Sequence, residues 1–232
     1  MTDAPMDALV LAPHPDDAEM SLAGTVLKLT ARGAKVAIVD MTRGEQATAG
    51  TPELRRAECD AATRLMGVAV RENLACPDAA VRDDEATLAA VVAAIRRHRP
   101  RLLFAPLDRD LHPDHAATGA VAGRAYFIAG LGKVLPEAGA PHRPDMLYRY
   151  PLHHELEPTV CVDISDVVDR KIHVIECYRS QLPTDRSHLI GLDPLERARA
   201  RDQYYGSLAG CRAAEPLRAE RPLRLSDPMA LL

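Results

Sequence analysis

Ala8 to Asp17 reads ALVLAPHPDD, and this stretch decides how the rest of the chain is understood. Its first half, Ala8 to Pro13, is a short, unbroken apolar run that suits a strand covered on both faces. Its second half, His14-Pro15-Asp16-Asp17, crowds an imidazole and two carboxylates around a proline. The same plan returns later. Arg101 to Pro106 (RLLFAP) is again a strand, and it leads into His112-Pro113-Asp114-His115.

Working outward, Glu19 to Arg32 carries apolar residues at helical spacing and stops at Gly33. Lys35 to Met41 (KVAIVDM) is the second strand, and Thr42 to Thr51 is a loop rich in Gly and Thr. Pro52 suits the first position of a helix capped by Thr51 and ending near Met66, before Gly67. Val68 to Leu74 is a third strand. Asp84 to His98 is an amphipathic helix with Leu88, Val91, Val92 and Ile95 on one side. Pro113 to Leu131, Val167 to Ser180 and Leu195 to Gly206 read as helices, Met146 to Tyr150 and Thr159 to Ile164 as strands. Residues 1–232 are expected to form one domain, with the Pro- and Arg-rich residues 215–232 as an extended tail.

Alternating strands and helices with continuous apolar strands indicate an α/β fold: a doubly wound, mostly parallel sheet of Rossmann-like order. In the order 3-2-1-4-5, strands one and four are neighbours whose connections leave on opposite sides. A crevice opens at their carboxyl ends. Both short motifs fall there, although nearly a hundred residues separate them, so the active site is expected at that crevice.

The bulk properties narrow the function classes. The apolar fraction is 47%, aromatics are 3% and Trp is absent, so the core must be aliphatic. A net charge of -4 argues against a nucleic-acid partner. The five cysteines form no C-x-x-C pair and read as small buried hydrophobes in a reducing compartment. With no leader pattern and no 20-residue apolar run, a cytoplasmic protein without a membrane partner is expected. Neither a P-loop nor a G-x-G-x-x-G is present.

Imidazole and carboxylate together hold divalent metals and move protons beside them. A metal held by His14, Asp17 and His115 would keep an open position for water, and this N/O set suits Zn2+, with Fe2+, Co2+ or Mn2+ as substitutes. Asp16, beside two ligands, is the candidate general base. His112 is the candidate to stabilise an oxyanion or protonate a leaving amine, with Asp114 hydrogen-bonded to its imidazole and raising its pKa. The competing readings are ordinary ones: a helix N-cap for His14 with Asp17, a capping carboxylate for Asp16, a loop residue for His112. Glu19 reads as a helix cap before a brace for a ligand.

His98 sits at a helix end where positive charge is favourable. His142, His153, His154, His173 and His188 read as surface or interface residues, although His153-His154 could border the pocket. At the rim after strand two stand Thr42-Arg43-Gly44-Glu45 and, at the next helix, Arg55 and Arg56. Glu45 and Arg55 are the substrate-binding candidates, Arg55 as a bidentate partner for a carboxylate or phosphate.

These residues resemble a known family. A-x-H-P-D-D-x-E after strand one, T-x-G-E after strand two and H-P-D-H after strand four are similar to the LmbE-like (PIG-L) metal-dependent N-deacetylases. GTPELRRAECDAATRLMGV (50–68), NLACPD (73–78), FAPLDRDLHPDH (104–115), CVDIS (161–165), YRSQL (178–182) and YYGSLAG (204–210) look like the bacillithiol branch. The resemblance implies zinc on His14, Asp17 and His115, Asp16 as base, His112 as electrostatic or acid partner oriented by Asp114, and Arg55 as a substrate-binding residue. It implies N-acetylglucosaminyl-malate as the substrate, with N-acetylglucosamine, chitobiose or another N-acetyl sugar as the alternative. A trimer or hexamer is the implied assembly. The rivals from other classes are a metal-dependent phosphoesterase and a non-catalytic sugar-binding module. One departure stands out. Family members often place a mobile Tyr before the C-terminal helix, whereas Gly191 to Leu195 contains none.

Overall fold

A computed structural model describes residues 5–182, 193–227 and 229. Its strands are β1 (Ala8–Ala12), β2 (Val36–Asp40), β3 (Val70–Asn73), β4 (Leu102–Pro106), β5 (Met146–Tyr150), β6 (Val160–Asp163) and β7 (Ala214–Ala219). Its α-helices are α1 (Asp17–Ala31), α2 (Pro52–Met66), α3 (Glu85–His98), α4 (Pro113–Ile128), α5 (Val168–Ile175) and α6 (Pro194–Ala209). Among the described residues the strands form a seven-stranded sheet in the order β3-β2-β1-β4-β5-β7-β6. The first five positions are parallel and follow the order expected from the sequence.

The unbroken apolar strands have the anticipated cause: both faces are covered. Ala8, Val10 and Ala12 of β1 pack with Leu22 and Val26 of α1. Leu9 and Leu11 point the other way, into Val91, Val92 and Ile95 of α3 and Val121 of α4. Helix boundaries follow local chemistry. Thr51 caps α2 by accepting from the Leu54 amide, and Gly67 ends it with φ 68°, where a left-handed residue is needed. Asp84 caps α3 through the Thr87 amide.

The tail reading of 215–232 needs correction. Its first residues belong to β7, which runs antiparallel between β5 and β6. The stretch AEPLRA looks too polar for a buried strand, but Glu215 is fully buried because it is fully partnered. It accepts from the Gly24 and Thr25 amides and pairs with Lys171 Nζ at 2.7 Å. Pro216 lies where β7 ladders with β6 alone, so its missing N–H breaks no rung towards β5. The cysteine reading also changes: all five are free, but only Cys59 is buried. No helix among the described residues is long and apolar enough to cross a membrane.

Candidate active site

β1 and β4 are adjacent, and the chain leaves each at its carboxyl end into one of the two motifs. After β1 the backbone turns sharply at Asp16, which has φ 143° and ψ -25°. Such a conformation is costly for a residue with a side chain, roughly 1–3 kcal/mol, and it clusters at functional sites. The turn sends the two carboxylates to different places. Asp17 Oδ2 accepts from the His14 amide at 2.9 Å and lies 3.1 Å from His14 Nδ1. Asp16 Oδ2 accepts from Arg55 Nη1 at 3.0 Å.

His115, on the first turn of α4, reaches Asp17 from the β4 side, with Nε2 3.4 Å from Asp17 Oδ2. His14, Asp17 and His115 are all buried, and their donor atoms lie within 4.8 Å of one another. Donors about 2.0–2.2 Å from a tetrahedral ion sit about 3.3 Å apart, so the observed spacings fit a divalent metal. The outer ring nitrogens strengthen the fit. His14 Nε2 faces Asp78 Oδ1 at 3.1 Å and Asp114 Oδ2 at 3.2 Å, and His115 Nδ1 faces Asp110 Oδ1 at 3.1 Å. Carboxylates behind ligating histidines fix the ring and raise its basicity.

Two other trios also bring donors within 4.8 Å: His14, His112 and Asp114, and Asp110, His115 and His153. Their carboxylates are already engaged. Asp114 accepts from the Ala79 and Val81 amides as well as from His14. Asp110 accepts from the amides of His112 and His153 and from two imidazoles. Asp17 keeps an oxygen uncommitted, which favours the first trio.

The electrostatics call for a cation here. Burial lowers the pKa of His14, but hydrogen bonds with Asp114, Asp17 and Asp78 outweigh it and push the value up to about 12. Burial also opposes ionisation of Asp17, yet His115 and His14 hold its carboxyl far below the usual range. Asp16 behaves differently. Burial raises it to about 6, against the opposing pull of Arg55. The pKa of His112 is lowered by burial and by the neighbouring His115 and His14.

Several side chains stand elsewhere than the sequence suggested. Asp114 was expected on the imidazole of His112. Its carboxylate turns to His14 instead, and what it gives His112 is its amide, which donates to Nδ1 at 3.2 Å as α4 begins. That bond assigns the proton of neutral His112 to Nε2, and the net effect of its surroundings is to lower the pKa. Arg55 was expected at the open rim, but it is buried on Asp16 with its guanidinium beside the Tyr178 ring. Gly44 lets it lie there: a Cβ on Gly44 would come within 3.2 Å of Arg55 Nε. Glu45 is exposed and clasps two loops, accepting from the Arg43 and Asp78 amides. Glu19 is neither cap nor ligand brace; it is buried against Arg71 and the Tyr178 hydroxyl. His98 does close α3 as expected, and it is also buried on Glu72 at 2.7 Å.

Asp78, Asp110 and His153 complete the cluster, and the two carboxylates were not singled out from sequence. Asp110 precedes His112 by two residues and accepts its amide at 2.9 Å, a local turn that an Asp at that spacing can signal. His153 was suspected only of bordering the pocket, and its ring lies parallel to that of His115 at 4.9 Å. Tyr204 is exposed and Tyr205 bonds the backbone of Leu156, so neither approaches the cluster. His188, Gly191 and Leu192 lie outside the described residues.

Known proteins are similar to this chain in sequence and fold. A diacetylchitobiose deacetylase of Thermococcus kodakarensis is 31% identical over 90% of this chain and 81% of its own. A probable N-acetyl-alpha-D-glucosaminyl L-malate deacetylase 2 of Bacillus anthracis is 27% identical, covering 78% of this chain and 84% of its own. The crystal structure of the conserved protein TT1542 from Thermus thermophilus superposes with a TM-score of 0.87 at 38% identity, over 96% of this chain and 98% of that one. Residues 9–126, which hold the H-P-D-D and H-P-D-H motifs, match the family PIG-L, GlcNAc-PI de-N-acetylase, and the chain belongs to that family.

Proposed function

We propose that this protein hydrolyses the acetamide of an N-acetylglucosaminyl conjugate, releasing acetate and the free amine. The observation that carries the reading is the meeting of His14 and Asp17 with His115 across the β1–β4 crevice, with Asp16 and His112 beside them. His14, Asp17 and His115 would hold a divalent ion, for which the donor set suits zinc. When bound, such an ion polarises an amide carbonyl and makes a water molecule more acidic.

The chain's own residues do the rest. Asp16 takes a proton from the water that attacks the acetyl carbon, and its raised pKa gives it useful basicity without keeping it protonated at neutral pH. Arg55 holds that carboxylate in place. His112 presents Nε2–H to the oxygen on which negative charge develops. As the C–N bond breaks, a proton returns from Asp16 to the departing amine. Asp114 and Asp110 keep His14 and His115 in their orientations.

For the substrate we propose N-acetylglucosaminyl-malate, as in bacillithiol biosynthesis, on the strength of the motifs and the malate-conjugate relative. The diacetylchitobiose relative, with its broader coverage, favours a neutral disaccharide as the second reading. The test is acetate release by metal-loaded protein from both compounds. Faster turnover of the malate conjugate is expected; no acetate from either compound, nor from N-acetylglucosamine, would defeat the deacetylase reading.

A further inference from the structure

An acidic conjugate needs a cation, and Arg55 is committed to Asp16 beneath the site. A second guanidinium stands at the rim. Arg197, on the first turn of α6, donates from Nη2 to the Leu152 carbonyl at 2.9 Å. The next residue is His153, whose ring stacks on that of His115. His153 is itself fixed at two points: its amide donates to Asp110 Oδ2 at 2.9 Å and its Nδ1 lies 2.8 Å from Asp110 Oδ1. Nε2 is therefore the nitrogen left to meet a ligand.

Arg197 is half-buried, and among the described residues no carboxylate pairs with it; its neighbour Arg201 lies instead 3.5 Å from Asp202. Burial and Arg201 both work against its charge, while Asp110 favours it from further off. Asp110 is already saturated by four donors and cannot turn towards it. An anion brought against Arg197 would relieve both costs.

We propose that Arg197, standing beside His153, forms an anion subsite that receives the carboxylate of an acidic aglycone. Arg197 supplies both the charge and the hydrogen-bond donors, while His153, which gives its Nδ1 proton to Asp110, keeps Nε2 to accept from a substrate hydroxyl at the edge of the cluster that would hold the acetamide. This inference rests on the deacetylase reading and adds a substrate class to it. The competing view is that Arg197 only buttresses the Leu152 carbonyl.

The test compares wild type, Arg197→Ala and Arg197→Lys, all metal-loaded, on N-acetylglucosaminyl-malate and on neutral N,N'-diacetylchitobiose. Arg197→Ala is expected to lower the ratio of kcat/KM for the acidic over the neutral compound by roughly tenfold to a hundredfold, the worth of a charge-assisted hydrogen bond. The loss should fall mainly in KM, and Arg197→Lys should recover part of it. An unchanged ratio, with both substrates slowed equally, would overturn the subsite in favour of the buttress. Calorimetric titration of the same three proteins with the malate conjugate decides the matter where turnover fails. Weaker binding by Arg197→Ala supports the subsite, and equal affinity or no binding by wild type sinks it. Absence of acetate release, by contrast, counts against the deacetylase reading.

Discussion

Two of the clusters of buried charge among the described residues are built to opposite ends. At the β1–β4 crevice, Asp17, Asp78, Asp110 and Asp114 surround His14 and His115, and among the described residues no Lys or Arg pairs with any of them. At the seam of α5, α6 and β7, Lys171 sits between Asp202 and Glu215 at 2.7 Å from each. All three of these residues are fully buried. Glu215 spends its remaining capacity on the Gly24 and Thr25 amides of α1, so this cluster fastens β7 and two helices to the front of the fold. The crevice cluster is short of positive charge and partly open, since His112 and His153 are only half-buried. Burial of charge alone therefore does not mark a functional site. An unmet demand for a cation, in a place that a substrate can reach, does.

The comparison can be broken by substitution. Asp16→Asn keeps an acceptor for Arg55 but loses the base, so turnover should fall by about a thousandfold, within the range assigned to general base catalysis. Metal content and melting behaviour should stay near those of wild type, and acetate release together with metal analysis checks this. Lys171→Met should do the reverse. It strands two buried carboxylates and should cost about 3–5 kcal/mol of stability, read by denaturant unfolding. A variant that unfolds at wild-type denaturant would show that the seam is not held by these charges.

Two further changes sharpen the contrast within the crevice. His112→Ala removes a preorganised donor, and a loss of about a hundredfold to a thousandfold in kcat is expected with metal retained. A change confined to KM would remove His112 from the oxyanion. Asp110→Asn keeps the shape but weakens support behind His115, and metal affinity should drop by about tenfold to a hundredfold in a chelator competition. Unaltered affinity would mean that Asp110 serves the loop alone.

Much of this was legible from local pattern. The strands β1 and β4 announce themselves because a parallel strand covered on both faces must be apolar throughout, and Leu9, Val10, Leu103 and Phe104 are buried accordingly. The start of α2 at Pro52, its cap at Thr51 and its end at Gly67 are set by residues in direct sequence contact. Strand β7 was not legible, because Glu215 and Pro216 disguise it. Only their distant partners, Lys171 and the single ladder with β6, make burial tolerable. Asp114 was paired on sequence with its near neighbour His112. Its actual partner, His14, is a hundred residues away.

The sequence by itself determined the alternation of strands and helices, the sheet order at its centre, and the two motifs at neighbouring strand ends. These depend on hydrophobic period and on short-range capping, which act over a few residues. Tertiary structure alone decided which carboxylate backs which imidazole, that Arg55 serves Asp16, and that Arg197 bonds the Leu152 carbonyl next to His153. A charged side chain takes whichever opposite charge the fold brings within about 3 Å, and that proximity is a property of packed elements rather than of spacing along the chain.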